Sequence, residues 1–235
     1  MPIAPQKHRA RRRLILTGTV LALCAPALPL SIFSIPARAE PLDHSTITRD
    51  GSLGTGPIAE TATGTGLRFE IGESNGYRPG GPAGINLLHS FADFELAVGD
   101  AAEFSAENFT ENILVRVPNN RTIIEGRLNT RSVQNMNTDQ ANLYWLSPQG
   151  VIFGETAELN VGGSLSVSTA ESLSLSADGQ SQTFEARTDG MVPTLAVAQP
   201  QAFGFLGNAS QRIVFDGSLG LLFLAFAIPR IVDRE

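Results

Sequence analysis

The sequence predicts an all-β fold, a single-stranded parallel β-helix with an amino-terminal cap. After residue 85, short apolar runs recur about every eight residues and are separated by Gly, Pro, Asn and Ser. Three strands at that spacing make a rung of roughly 20–25 residues, the size of one β-solenoid coil. Within the later runs serines alternate with apolar residues, which gives one buried and one wet face. The apolar centres are Leu143, Val151, Leu159, Leu165 or Val167, and Leu173 or Leu175.

A β-sandwich is the alternative fold, because its strands also alternate apolar and polar residues. Antiparallel strands are usually joined by hairpin turns of the Asn-Gly type, and such turns are scarce here. The connections at 147–150, 162–163 and 169–171 instead resemble corners that bend the strand direction. The even spacing and these corners favour the parallel β-helix.

Residues 1–39 have the pattern of a secretory signal peptide. Basic residues come first, an apolar stretch runs from Leu14 to Leu30, and Ala37-Arg38-Ala39 follows. Small residues at these positions predict cleavage between Ala39 and Glu40. Prolines interrupt the apolar stretch, and a permanent span needs about 20 apolar residues. We therefore expect no stable membrane span.

Removal of the signal would change the charge of the chain. The whole chain has 17 Lys and Arg and 23 Asp and Glu, and residues 1–39 contain six of the basic and none of the acidic residues. The remainder has 11 basic and 23 acidic residues, a net charge of −12. Such a surface repels phosphate backbones, so nucleic acid is a poor partner. The single cysteine, Cys24, lies in the signal, so no disulfide would stabilise the exported protein.

The remainder divides into three segments by composition. Residues 40–84, rich in Gly, Thr and Pro, are predicted to cover the open first rung as a cap. Residues 85–219 form the β-helix, in which residues 178–182 are expected to be a loop and residues 211–219 to begin a further rung. Residues 220–235 are expected to be an incomplete rung or a truncated tail.

Four motifs in order resemble a known family. They are Asn86–Phe94, Ile113–Val117, Asn142–Gly154 and Leu159–Ser164. Together they resemble the amino-terminal secretion domain of filamentous-haemagglutinin-like exoproteins, of the cyanobacterial type. These are the exported half of two-partner secretion (TPS) systems, and the resemblance extends over about residues 43–219.

The resemblance implies a right-handed β-helix and export by the Sec translocon. It also implies recognition by the POTRA domains of an outer-membrane β-barrel transporter. The family's Asn-Pro-Asn-Gly-Ile turn corresponds to residues 147–151, where Pro148 and Gly150 match while Ser147 and Gln149 differ. Serine can still make the same local turn bonds. The transporter-recognition residues implied are Asn86, His89, Phe91, Phe94, Ser147, Pro148, Gln149, Gly150 and Val151.

No motif for catalysis, metal binding or a cofactor is found. After Ala39 there is no cysteine, and the only histidines are His44 and His89, which excludes a Cys/His nucleophile or zinc cluster. No phosphate-binding loop occurs, and Gly162-Gly163-Ser164 lacks the final glycine of a nucleophile elbow. We therefore predict no enzyme, no cofactor and no metal, and we expect His89 to be a hydrogen-bonded structural residue.

Several arginines cluster in sequence within this acidic chain. We expect them to form surface ion pairs with nearby glutamates, or else to contact an acidic partner. The arginines are Arg116, Arg121, Arg127 and Arg131, and the glutamates are Glu107, Glu111 and Glu125.

The sequence thus predicts a secretion and folding-nucleation module. Two other classes stay open. A carbohydrate-binding adhesin fragment would show exposed aromatic side chains. A polysaccharide-active β-helix enzyme would need clustered Asp or Lys on one face, and no Lys follows residue 39.

Overall fold

A computed structural model describes residues 41–130, 137–205 and 211–216, and this part of the chain is nearly all β-structure. Its only helical pieces are two 3-10 turns, Glu73–Asn75 and Gly81–Ala83. The predicted signal peptide with its cleavage point, Arg131 and the predicted tail lie outside the described residues. The strands are β1 (Thr46–Arg49), β2 (Ala59–Ala62), β3 (Leu67–Ile71), β4 (Asn86–Leu96), β5 (Ala101–Phe104), β6 (Asn112–Arg116), β7 (Thr122–Ile124), β8 (Arg127–Asn129), β9 (Asn142–Leu146), β10 (Val151–Phe153), β11 (Glu158–Asn160), β12 (Leu165–Ser168), β13 (Ser172–Ala177), β14 (Gln180–Glu185), β15 (Gln199–Gly204) and β16 (Ile213–Phe215).

The chain coils into a parallel β-solenoid of about three turns with three faces. The first face stacks the start of β4 on β6, β9 and β12. The second stacks the end of β4 on β7, β10 and β16, and the third stacks β3 on β5, β8 and β11. All these pairs are parallel, so the β-helix prediction is confirmed and the sandwich is wrong. The pairing of β16 confirms the expected start of a further rung.

Two antiparallel strands lie at the amino-terminal end of the coil. Strand β1 pairs with β4, and β2 pairs with β3. Both partners belong to the first turn of the solenoid, so these strands cover its open edges. Covering an edge in this way reduces unwanted pairing with other chains.

One part of the predicted solenoid is wrong. Leu173 and Leu175 were expected to continue the coil, but their strand, β13, lies between β14 and β15 in a separate antiparallel sheet. The expected loop at 178–182 is instead a two-residue hairpin turn followed by β14. Asp178 and Gly179 have φ angles of 51° and 77°, as a type I′ turn requires. The antiparallel sheet is an insertion between β12 and β16.

Two hydrophobic clusters lie on opposite sides of the first face. The inner cluster fills the solenoid and contains Phe91, Phe94 and Trp145. The outer cluster joins Leu88, Leu114 and Leu146 to the antiparallel sheet. This arrangement explains why β6 is buried at every position, since one side of the strand faces the coil interior and the other faces the inserted sheet.

Among the described residues, no helix has the length and apolar character needed to cross a membrane.

Candidate functional site

The predicted recognition residues lie on β4 and on the turn between β9 and β10. In the folded domain all of them are buried except Pro148, which is half-buried, and Gln149, which is exposed. The motif is therefore packed inside the folded domain and does not form an exposed groove: Phe91 and Phe94 face the interior of the coil, and Asn86 lies on the outer side beneath Ala198. A transporter could contact most of these side chains only in a chain that has not yet folded.

Asn86 begins a ladder of asparagines along the edge of the first face. The Asn112 side-chain amide donates to the Asn86 side-chain oxygen at 2.9 Å, and the Asn142 amide donates to the Asn112 oxygen at 3.0 Å. The three residues are aligned in register in successive coils, 26 and 30 residues apart. Of these three, only Asn86 was predicted as a site residue. Each asparagine is followed by two apolar or aromatic residues, and this repeat is the sequence signal that could have revealed the ladder.

The ladder also joins the coil to the segment before β15. The Asn86 amide donates to the Ala198 carbonyl at 2.6 Å. At the opposite end, the Ser164 backbone N–H donates to the Asn142 side-chain oxygen at 2.9 Å. Each buried amide group is thereby paired, which removes the cost of burying it unsatisfied. Successive coils are thus held in register by side chains as well as by the backbone.

His89 is completely buried, but the expected hydrogen bond is absent. Neither ring nitrogen makes a hydrogen bond of normal geometry, although the Asn75 backbone is near enough to favour the protonated ring. The ring instead packs against Phe91, at 6.1 Å between ring centroids, and edge-on against Phe104, at 5.3 Å. Burial lowers the pKa of His89 from 6.5 to about 3, more than the opposing contributions of the Asn75 backbone and Glu73 can offset. The ring is therefore neutral at neutral pH.

The turn at residues 147–150 is closed by its own backbone and by the hydroxyl of Ser147. The Gly150 N–H donates to the Ser147 carbonyl at 2.9 Å, and the Ser147 hydroxyl donates to the Gly150 carbonyl at 2.9 Å. The inference that serine can make the local bonds of this turn is confirmed. Gly150 has a φ of +102°, a conformation that residues other than glycine rarely adopt.

The two parts of the motif meet through Trp145. Its ring packs edge-on against Phe94, at 4.7 Å between centroids. The indole N–H donates to the Thr122 hydroxyl at 3.0 Å, and that hydroxyl donates to the Ser147 hydroxyl at 3.2 Å. The structure thereby connects β4 to the turn that follows β9, although about 50 residues separate them in sequence.

Arg116 does not lie where its sequence context predicts. It was expected on the surface in an ion pair or a partner contact, but its side chain is fully buried between the first face and the antiparallel sheet. Arg127 does form an exposed ion pair, although with Glu158 at 2.7 Å and not with one of the expected glutamates. The expected partner Glu125 is buried instead, and it accepts a hydrogen bond from the Leu42 N–H.

No group of three or more His, Cys, Asp and Glu side chains suited to a metal ion occurs in the described ranges. The geometry is that of a packed structural module.

A family model described as the TPS secretion domain matches residues 46–217. The chain belongs to the TPS secretion domain family. This family is a non-enzymatic secretion domain of two-partner exoproteins, and membership implies a secreted protein with a transporter partner. Searches of curated proteins and of solved structures each found no match.

Proposed function

We propose that this TPS domain is recognised in the periplasm, before it folds, by the POTRA domains of a dedicated outer-membrane β-barrel. Sec would deliver the chain to the periplasm, and residues 1–39 would be removed in the course of that export. The observation that carries the proposal is the burial of the motif: Asn86, Phe91, Phe94 and Val151 are completely buried in the folded domain. An unfolded chain exposes all of them together with its backbone.

Strand addition to an exposed sheet edge is the mode of contact that suits an unfolded β-chain. Backbone hydrogen bonds would supply affinity, and alternate side chains such as Phe91 would supply specificity. Ordering a flexible chain consumes part of the contact energy, so we expect a dissociation constant in the micromolar range. The excess of acidic residues favours a basic groove on the transporter, and binding should weaken with salt.

Folding outside the cell would then give the export its direction. Each coil pairs in parallel with the coil before it, so a folded coil is a template for the next. The cysteine-free chain folds without disulfides, and coil-by-coil burial would oppose backward movement without a nucleotide. This is the folding-nucleation role of the module.

The decisive experiment separates recognition from folding. Phe91→Ala and Phe94→Ala remove motif residues, and Phe184→Ala removes an equally buried phenylalanine from the outer cluster, outside the motif. All three variants should destabilise the folded domain. We expect only the two motif variants to weaken binding of the urea-unfolded chain to the purified periplasmic domains of the transporter.

The companion measurement is export in cells. Deletion of the barrel should abolish appearance of the protein in the medium, as should alanine substitution at Asn86, Phe91, Phe94 and the 147–151 turn together. Normal export in either case would reject the proposal. Equal binding by the Phe91 and Phe184 variants would show that the motif serves folding alone.

A further inference from the structure

The guanidinium of Arg116 is the centre of a hydrogen-bonded network that joins three distant segments. On one side its Nε donates to the Ser90 hydroxyl at 2.7 Å, and its Nη2 donates to the Ser52 hydroxyl at 2.9 Å. Both hydroxyls in turn donate to the Asp50 carboxylate, at 2.5 and 2.7 Å. Two serines thus relay the contact between a buried cation and its counter-charge.

On the other side, Arg116 holds the end of the antiparallel sheet. Its Nη1 donates to the Glu185 carbonyl at 2.7 Å, and its Nη2 approaches the Thr188 carbonyl at 3.4 Å. The guanidinium lies 5.2 Å from the centre of the Phe184 ring, within the range of a cation–π interaction. A planar group with five donors suits such a crossing point, whereas a lysine ammonium would reach fewer partners.

We propose that Arg116 is a latch between the solenoid and the inserted sheet β13–β15. When the hydrogen bonds of Arg116 are formed, the latch is closed, and it fixes the sheet and residues 50–52 to the outer side of the first face. When they are broken, the latch is open, and the sheet is released as a unit while the solenoid stays folded. The strands of this sheet pair only with one another and not with a coil strand, so its release breaks no backbone pairing between coils. Release also breaks the side-chain hydrogen bonds from Asn86 to Ala198 and from Gln199 to Glu111.

Two consequences follow from the position of the latch. Release uncovers the apolar row Leu88, Leu114 and Leu146, which the sheet covers in the closed state. In addition, Ser52 lies 64 residues before Arg116 and Thr188 lies 72 residues after it. On the export proposed above, the latch therefore closes only after the chain from Ser52 to Thr188 has emerged on one side of the membrane, so its closure completes the fold.

Native-state amide exchange on the full, refolded chain tests the latch without any transporter. In Arg116→Met, exchange in β13 and β14 should accelerate by about tenfold or more, because hydrogen bonds to a charged group are lost. Exchange in β8 and β11 should not change, and binding of the dye ANS should rise as the apolar row is exposed. Arg127→Met, which removes an exposed ion pair, is the matched control and should leave both measurements unchanged.

A second variant protects the test against misfolding. Asp50→Asn keeps the size of the side chain but removes the counter-charge, and it should accelerate exchange in the same strands to a smaller extent. Equal acceleration in every strand would overturn the proposal, because the sheet and solenoid would then open as one. Unchanged exchange in β13 and β14 in a folded Arg116→Met or Asp50→Asn protein would also overturn it.

Discussion

Replacing His89 with methionine is expected to remove much of the acid sensitivity of this domain. The imidazole is enclosed by aromatic rings, neither nitrogen is hydrogen-bonded, and burial lowers its pKa to about 3 in the folded state. The ordinary pKa of an unburied histidine, as in the unfolded chain, is about 6.5. The folded state therefore binds fewer protons, and the corresponding stability is complete above pH 6.5 and is lost as the pH falls toward 3.

The magnitude follows from the difference between these pKa values. Between about pH 7.5 and pH 5 the free energy of unfolding should fall by about 2 kcal/mol because of His89 alone, and full protonation would cost roughly 5 kcal/mol. The charged groups that act on the ring are Arg78, Glu73 and Arg49. The two arginines disfavour protonation and Glu73 favours it, but both effects are smaller than that of burial.

The assay is urea unfolding of wild type and His89→Met at the two pH values. Methionine is flexible and apolar, and the ring it replaces makes no hydrogen bond, so the cost at pH 7.5 should stay below about 1.5 kcal/mol. His44→Gln, at the exposed second histidine, is the control and should behave as wild type. If wild type and His89→Met lose equal stability on acidification, His89 is not the source of the acid sensitivity.

Three further variants test the coil itself, each by its urea midpoint. Gly150→Val should lower the free energy of unfolding by about 1–3 kcal/mol. The φ angle there is +102°, and a Cβ would lie 2.9 Å from the Arg212 carbonyl oxygen of the next coil. Gly64→Val, where a Cβ meets nothing within 4 Å, is its control, and equal midpoints would contradict the placement. Asn112→Leu should lower the free energy of unfolding by about 2–4 kcal/mol, because two ladder partners are left unpaired. Its control is Asn160→Leu, at an exposed position of the third face, which should lower it by less than about 1 kcal/mol. Similar losses in the two variants would argue against the ladder. Ser147→Ala should cost about 1–2 kcal/mol, and an unchanged midpoint would mean that the turn holds without its hydroxyl.

Local patterns in the sequence were sufficient to predict the coiled strands of the solenoid. The even spacing of apolar runs specifies short strands and corners, and the corner at 147–150 was identified because Pro148 and Gly150 mark a local turn. The family motifs identified the TPS secretion domain in the same way. These features depend on residues close together in the chain, so a single sequence can reveal them.

The antiparallel sheet shows where such patterns become ambiguous. Leu173 and Leu175 alternate with serines as a coil strand does, and alternation is the same in parallel and antiparallel strands. The local signal was the dipeptide Asp178-Gly179, but Asp-Gly also occurs at residues 50–51, 189–190 and 216–217, so the dipeptide alone does not single out this hairpin. Which strand becomes the neighbour of β13 depends on packing against Leu88 and Leu114, far away in sequence.

The strand-and-corner periodicity, the acidic and cysteine-free composition after residue 39 and the family motifs can all be seen in residues close together in the chain. The burial of Arg116, the packing of His89 against Phe104 and the alignment of the asparagine ladder cannot be seen there, because each depends on residues that only folding brings together. An arginine in a strand is exposed on an open face and buried when a second sheet covers that face. Whether the arginine side chain is exposed or buried is therefore determined only when the chain has folded.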